Sequence, residues 1–342
     1  MSDEILRTYI IKHIEVSTEQ VINFSWHGGE PMLAGLNFFR QAVRLQKKYL
    51  PVGRTLVNGI QTNGTLIDEN WSRFFADENF MVGLSMDGPE DLHNQFRRTS
   101  SGDPSWPEVM NGYRLLQKHK VPTEILCVLN SCNSLHPVNI YNFFKDLEVR
   151  YLTFLPLVIK LPGSLSEAGP ESVRPEEFGH FLCKVFDLWV ENDIGKIKIQ
   201  IFEEALSTVF RQDHTLCIFK RECSGVPVVE HNGDFYSCDH YVDNKHRIGN
   251  INEKSLDQLL DNPEQVKFGK SKSISLPLYC RHCDFIEMCN GECPKNRFIL
   301  TPEGEPGLNY LCPGYKIFFS HLSPMMEVLR LARNDENNEP CL

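Results

Sequence analysis

Eight cysteines between Cys217 and Cys312 constrain this chain more than any other feature. They stand as C-x5-C-x14-C and, after a long gap, C-x2-C-x5-C-x3-C-x18-C: Cys217, Cys223, Cys238, Cys280, Cys283, Cys289, Cys293 and Cys312. Gly, Pro or Asn falls in nearly every interval, so the backbone turns often and can aim sulfurs inward. Eight convergent thiols make two four-ligand sites, which suit zinc or an iron–sulfur cluster. Zinc sites usually pair two C-x2-C knuckles, and only Cys280 and Cys283 form one here, so the interleaved spacing fits clusters better. A disulfide framework is the weaker reading. Met1-Ser2-Asp3-Glu4 is acidic, with no basic n-region or apolar stretch behind it, so no export signal is seen. A cytoplasmic location with reduced thiols is expected.

The rest of the composition narrows the partners. Lys plus Arg is 35 against 45 Asp plus Glu, a net charge of −10. That excludes a nucleic-acid binder held by phosphate contacts, which needs a basic patch. No apolar run reaches the length of a bilayer span, so no membrane association is expected. With 342 residues, 41% of them apolar, the chain can bury one large core or two domains.

Ahead of the cysteines the pattern alternates. A helix over about 2–16, capped by Ser2, shows an apolar face of Ile5, Leu6, Tyr9, Ile10 and Ile14. Strands are expected at 21–26, 56–61, 81–85, 123–129 and 151–155, with a short one at 197–202. Helices are expected between them near 68–77, 109–119 and 138–147, and then at 175–191 after a loop over 160–174. Such βα units build a parallel sheet, closed as a barrel or open, with its ligand site at the carboxyl ends of the strands. Three successive strands end in turns there: Gly28-Gly29-Glu30-Pro31, Thr62-Asn63-Gly64 and Asp87-Gly88-Pro89. The rhythm stops near residue 212, where a domain boundary is expected. A final helix over 315–333 and a disordered tail over 334–342 close the chain.

Taken together, Trp26-His27-Gly28-Gly29-Glu30-Pro31, Gln61-Thr62-Asn63-Gly64 and Leu84-Ser85-Met86-Asp87-Gly88-Pro89 resemble the radical S-adenosyl-L-methionine (SAM) core of anaerobic sulfatase-maturating enzymes. Tyr236-Ser237-Cys238-Asp239-His240, Gly291-Glu292-Cys293-Pro294-Lys295 and Gly307-Leu308-Asn309-Tyr310-Leu311-Cys312 resemble that family's C-terminal SPASM domain. The resemblance implies a (β/α)6 radical SAM barrel over 1–211, then a cysteine-rich SPASM domain with its closing helix over 212–333. It implies oxidation of a Cys or Ser of an unfolded sulfatase to formylglycine, with SAM and 4Fe–4S clusters, and a reduced flavodoxin- or ferredoxin-type electron donor. Another SPASM-type peptide modifier is the alternative within enzymes.

Residue by residue, the resemblance assigns one auxiliary cluster to Cys217, Cys223, Cys238 and Cys293, and another to Cys280, Cys283, Cys289 and Cys312. Asp239 matches the residue that takes the substrate's proton. Gly29, Ser85 and Arg97 match SAM-binding positions, together with the Gly28 and Glu30 of the same turn, and Val158 falls where an apolar residue packs on the adenine. Each has a plainer reading: Asp239 as a turn aspartate, Ser85 as a strand-end hydroxyl, Arg97 as part of an exposed Arg97-Arg98 pair. Cys127 and Cys183 read as core thiols.

One departure is large. The family holds its SAM-cleaving cluster in a C-x3-C-x2-C loop after the first barrel strand, and none of the twelve cysteines here has that spacing. The expectation is a partial barrel without its first strand, the strand at 21–26 left with an unpaired edge. Met1 then reads as an internal methionine of a longer protein, by a misplaced start codon or a truncation. A remnant that keeps only auxiliary clusters is the other possibility, an inactive iron–sulfur protein. Glu292, where the family usually has Gly, is a smaller departure.

Overall fold

The computed structural model describes residues 1–164, 166–223 and 226–336. Helix α1 (Asp3–Val16) is capped by Ser2, whose Oγ accepts from the Ile5 amide at 3.3 Å. Its buried Leu6, Ile10 and Ile14 recur every four residues, the stripe that seats a helix on a core. Strand β1 (Val21–Trp26) alternates exposed and buried positions, as a half-buried strand must. Next come α2 (Leu36–Tyr49), β2 (Thr55–Thr62), α3 (Glu69–Asp77), β3 (Phe80–Ser85), α4 (Glu90–Phe96) and α5 (Trp106–Lys118). Then β4 (Thr123–Leu129), α6 (Pro137–Asp146), β5 (Tyr151–Pro156), α7 (Pro175–Asn192), β6 (Lys198–Ile199) and α8 (Gln200–Ser207) complete the alternating part.

The six strands form one sheet in the order β1-β2-β3-β4-β5-β6, and the pairs β1–β2, β2–β3 and β5–β6 are parallel. Each strand lying beside its sequence neighbour is what successive crossovers of one hand produce. β1 is the end strand, and among the described residues only β2 pairs with it. On α1, His13 donates from Nε2 to the Asn23 carbonyl of β1 at 2.9 Å.

The run 197–202, expected as a strand, is strand only at Lys198–Ile199. From Gln200 the chain is helix α8, with Ile201, Phe202 and Ala205 buried on one face. The short helix α4 was not anticipated; it starts directly after Pro89.

Close packing divides the chain into two units, each discontinuous in sequence. The first holds residues 1–86, 93–125 and 226–270. Its core is aromatic: Trp71, Phe74, Phe75 and Phe80 meet at ring-centroid distances of 5.3–6.3 Å. A three-stranded antiparallel sheet, β7 (Val228–Val229), β8 (Asp234–Tyr236) and β9 (Arg247–Asn250), belongs to this unit, as does α9 (Leu256–Leu260). Phe235, Ile251, Leu256 and Leu259 make its apolar cluster, against which Ile5 and Tyr9 of α1 pack. Helix α10 (Pro263–Ile274) leads out of it.

The second unit holds 87–92, 126–223 and 271–336. It carries α11 (Leu278–Arg281), α12 (Ile286–Cys289), the two-stranded β10 (Ile299–Leu300) and β11 (Pro306–Leu308), and α13 (Cys312–Glu336). Helices α7 and α13 touch backbone to backbone. A Cβ on Gly314 would stand 2.0 Å from the Pro175 carbonyl, and one on Gly179 2.6 Å from the Gly314 carbonyl, so both positions need glycine. Helix α13 runs to Glu336, three residues into the expected tail; the remainder of that tail, with Cys341, lies outside the described residues.

Candidate functional site

Four of the eight cysteines wall one cavity of the second unit. Cys280 comes from α11, Cys283 from the turn after it, Cys289 from the end of α12 and Cys312 from the start of α13, with Tyr315 and Phe319 closing the apolar side. Pro277 and the turns Cys280–Cys283 and Cys283–Ile286 bend the backbone so that short elements deliver one sulfur each. Burial pushes the Cys312 thiol up to about 11, with the neighbouring Cys280 and Cys283 adding to it. Burial also raises Cys280 and, more strongly, Cys289, which has Glu292 and Cys312 nearby. A metal bound by Cys280, Cys289 and Cys312 must displace their protons. Four soft donors around a cavity fit a four-thiolate group. Among the described residues no three His, Cys, Asp or Glu side chains converge as ligands of a single ion would.

Of the other expected quartet, Cys217, Cys223 and Cys293 belong to the second unit and Cys238 to the first. Burial lifts Cys293 to about 12, with Glu292, Cys223 and Cys217 each adding to the rise. Cys238 follows β8, and its thiol donates to the neighbouring carboxylate, Asp239 Oδ1, at 3.1 Å. Asp239 is half-buried.

Polar anchors that the cysteine spacing does not reveal hold these loops. Glu204 on α8, 4% exposed, accepts from the Thr215 and Leu216 amides at 2.9 Å each and from the Thr215 hydroxyl. His214 sets Nδ1 against Glu204 at 2.9 Å and Nε2 against the Glu287 carbonyl of α12 at 2.8 Å. The chain entering Cys217 is thus fixed to the helix that ends at Cys289. Buried charges far apart in sequence carry no periodic signal, so only the fold exposes them.

The strand-end turns lie in the first unit. Gly28 and Gly29 adopt φ of 91° and 45°, and a Cβ on either would meet nothing within 4 Å, so the turn borders open space. Glu30, expected in the SAM-binding turn, spends its carboxylate on neighbouring turns. Oε1 accepts from the Thr62 hydroxyl at 2.7 Å and the Met32 amide at 3.1 Å, and Oε2 from the Asn63 amide at 2.8 Å. It stitches the end of β1 to the end of β2. Ser85 is buried at the end of β3. Arg97 follows α4; its carbonyl accepts from Ser105 Oγ at 2.9 Å, and Ser105 in turn meets His93 Nε2 at 3.1 Å. In the second unit, Val158 is buried, and Asp87 accepts from the Val128 amide at 2.8 Å, which makes that turn aspartate a brace for β4. A larger, open cleft on α2 and α3 carries Arg40, Arg44, Lys47 and Arg73, and none of the expected site residues.

A domain family described as SPASM, an iron-sulfur cluster-binding domain, matches residues 217–284. The chain is 43% identical to the serine-type anaerobic sulfatase-maturating enzyme of Bacteroides thetaiotaomicron, over 96% of this chain and 83% of that protein. It is 34% identical to the cysteine-type enzyme of Clostridium perfringens, over 95% of this chain and 88% of that one. The solved structure of native anSMEcpe with bound AdoMet and the Cp18Cys peptide superposes with a TM-score of 0.89 at 32% identity, covering 97% of this chain and 91% of that one. Among the described residues no helix is long and apolar enough to cross a membrane.

Proposed function

Because this chain belongs to the family of anaerobic sulfatase-maturating enzymes, we propose that it serves the oxidation of a Cys or Ser side chain of an unfolded sulfatase to formylglycine. The observation that carries this reading is the cavity walled by Cys280, Cys283, Cys289 and Cys312 within a chain alignable to such enzymes over nearly its whole length. When bound, SAM and the iron–sulfur clusters supply one-electron chemistry: cleavage of SAM to a hydrogen-abstracting radical, and acceptance of the electron the substrate gives up.

The chain's own residues prepare that reaction. Cys280, Cys283, Cys289 and Cys312 hold one auxiliary cluster; Cys217, Cys223, Cys238 and Cys293 hold the other. Asp239, half-buried and adjacent to a ligand cysteine, takes the proton lost by the substrate carbon as its general base. Gly28, Gly29 and Glu30 form the floor of the SAM site, the glycines leaving its backbone open and Glu30 fixing the turn. Ser85 and Arg97 bind SAM's polar groups, and Val158 packs on its adenine. The barrel part ends near residue 212, and a flavodoxin- or ferredoxin-type donor in the cytoplasm supplies the electrons.

The sequence carries no C-x3-C-x2-C spacing among its twelve cysteines, so within this sequence no thiolates are arranged to hold the SAM-cleaving cluster. That favours a second reading for this polypeptide alone, a cluster protein that binds the peptide without starting the radical step. One experiment separates the two. The reconstituted chain is incubated anaerobically with SAM, dithionite and a sulfatase-derived Cys or Ser peptide, alone and with a C-x3-C-x2-C segment fused ahead of Met1. Aldehyde in the peptide and 5′-deoxyadenosine only with the fusion support the proposal. An extended chain that cleaves SAM yet leaves both peptides intact defeats the sulfatase assignment. Release of 5′-deoxyadenosine by the unextended chain defeats the second reading.

A further inference from the structure

Arg297 carries a half-buried positive charge whose donors are spent on main-chain carbonyls. Nε donates to Gly291 at 2.7 Å, Nη1 to Lys272 at 2.6 Å, and Nη2 to Asn290 at 2.8 Å and Glu292 at 3.0 Å. Three of those carbonyls belong to the turn that joins Cys289 to Cys293. Asn290, Gly291 and Glu292 there have φ of 45°, 72° and 53°, so two residues with a Cβ sit in left-handed backbone that needs outside support. A Cβ on Gly291 would stand 2.6 Å from Arg297 Nη2 and 2.3 Å from Leu276 Cδ2, so the guanidinium packs where only glycine leaves room.

The fourth carbonyl extends the clamp. Lys272 is fully buried, and its Nζ donates to the carbonyls of Cys217 at 2.9 Å and Ile218 at 2.7 Å. Asn290, within the turn, donates to the Phe219 carbonyl at 2.8 Å. Hydrogen bonds thus run from the turn, through Arg297 and Lys272, to the backbone at Cys217. Cys289 lies in one expected quartet, Cys217 and Cys293 in the other. The guanidinium interacts electrostatically with Cys289 and Cys280 of the first and with Cys223 of the second. Glu292, buried in the same turn and hydrogen-bonded by Asn296 at 3.2 Å and by Asn309, brings the opposite sign.

We propose that Arg297 is a positioning residue shared by the two cluster sites. It holds the Cys289–Cys293 turn in its left-handed form and, through Lys272, fixes the backbone that presents Cys217. The fork explains the choice of arginine, because only a planar guanidinium reaches four carbonyls at once. Its permanent charge offsets the negative charge of thiolate-ligated iron and so favours the reduced state at both sites. The inference rests on the reading that both quartets hold clusters.

The test uses the full chain, reconstituted anaerobically with iron and sulfide, and two backgrounds, Cys283→Ala and Cys223→Ala, each leaving one quartet intact. The unsubstituted chain is expected to bind about eight iron and each background about four; an unsubstituted chain that binds none overturns both the cluster reading and this inference. Arg297→Gln is expected to lower iron content severalfold in both backgrounds. In the cluster that remains, the reduced-to-oxidised ratio at fixed potential should fall about tenfold, about 59 mV for a one-electron couple. Arg297→Lys keeps the charge without the fork, and should lower iron content with a smaller shift of potential. Lys272→Met, which cuts only the second relay, should lower iron in the Cys283→Ala background and leave the Cys223→Ala background unchanged. If neither Arg297 variant folds, Lys272→Met decides, and equal iron in its two backgrounds overturns the relay. Arg297 effects confined to one quartet, or unchanged iron and potential in both, overturn the proposal, while iron binding by the unsubstituted chain leaves the cluster reading standing.

Discussion

The βα half of the first unit and the cysteine loops of the second are held together by different forces. Around β1–β3 most buried side chains are apolar and recur at helix or strand spacing, with one buried polar cluster among them, in which Asn58 Oδ1 accepts from Trp26 Nε1 and Gln46 Nε2 at 2.9 Å each. Around Cys280–Cys312 the elements are four residues long or shorter, apart from α13, and the buried Glu204, Lys272 and Glu292 brace the loops together with the part-buried Arg297. A helix of one turn cannot sustain itself in water. The first region therefore rests mainly on packing, whereas the second depends on its anchors and on whatever fills its thiol cavity.

The largest effect expected from that contrast is metal removal. Stripping iron from the reconstituted chain with a chelator should expose the amides of 278–297 to hydrogen exchange while β1, β2 and β3 keep their protection. Equal loss of protection in both regions would erase the distinction. Next comes the apolar side of the comparison. Phe75 is fully buried among Trp71, Phe74 and Phe80, and Phe75→Ala should cost about 3–5 kcal/mol in urea unfolding. Its iron content should match that of the parent chain as long as it stays folded.

Protons give a third probe of the first unit. Burial, aided by the Arg97 charge, lowers the His93 pKa from 6.5 to about 4. His93 is therefore neutral in the folded chain, Nε2 donating to Ser105. Above pH 6.5 the ring is neutral in folded and unfolded chains alike, and stability is full. As pH falls from 6.5 towards 4 the unfolded chain takes up a proton that the folded chain refuses, so stability declines across that window. Urea midpoints measured from pH 4 to 7 should show this slope, and His93→Gln should flatten it. An unchanged slope in the variant would assign it to other groups.

How far the chain could be read from its residues follows the same division. Strands at 21–26, 81–85 and 123–129 and the helix at 2–16 were legible because a buried face repeats every second or every third to fourth residue. The stretch 197–202 misled because Ile197, Ile199, Ile201 and Phe202 are β-formers by composition. Only Lys198 and Ile199 find partners, on Tyr151 and Leu152, and the rest buries its apolar face as α8. Strands β7–β9, two to four residues each, were too short for any period to register. The eight cysteines were obvious, but not what aims them. Lys272 looks like a surface cation until the fold buries it, Arg297 until the fold half-buries it, and Glu204 lies thirteen residues ahead of the first cysteine it serves. The Glu30 carboxylate was recognised as a site residue, yet its three hydrogen bonds to Met32, Thr62 and Asn63 depend on two parallel strands ending side by side.

Two carboxylates of similar geometry bring the contrast to its smallest scale. Glu204 and Asp68 both accept main-chain amides: Glu204 from a distant segment, Asp68 from Trp71 at 2.8 Å as the cap of its own helix α3. Glu204→Gln loses acceptor capacity inside a buried cluster, and about 1–3 kcal/mol of stability should go with it. Because residues 214–216 lead directly into Cys217, iron content should fall as well. Asp68→Ala removes one local cap and should cost about 1 kcal/mol. The amides freed at the start of α3 can turn to water, and no cysteine lies within residues 62–80, so iron content should stay at the parent level. Calorimetry alongside iron analysis of the two variants separates the cases. A cap variant that also sheds iron would mean that the metal sites depend on the whole fold and not on the anchors beside them.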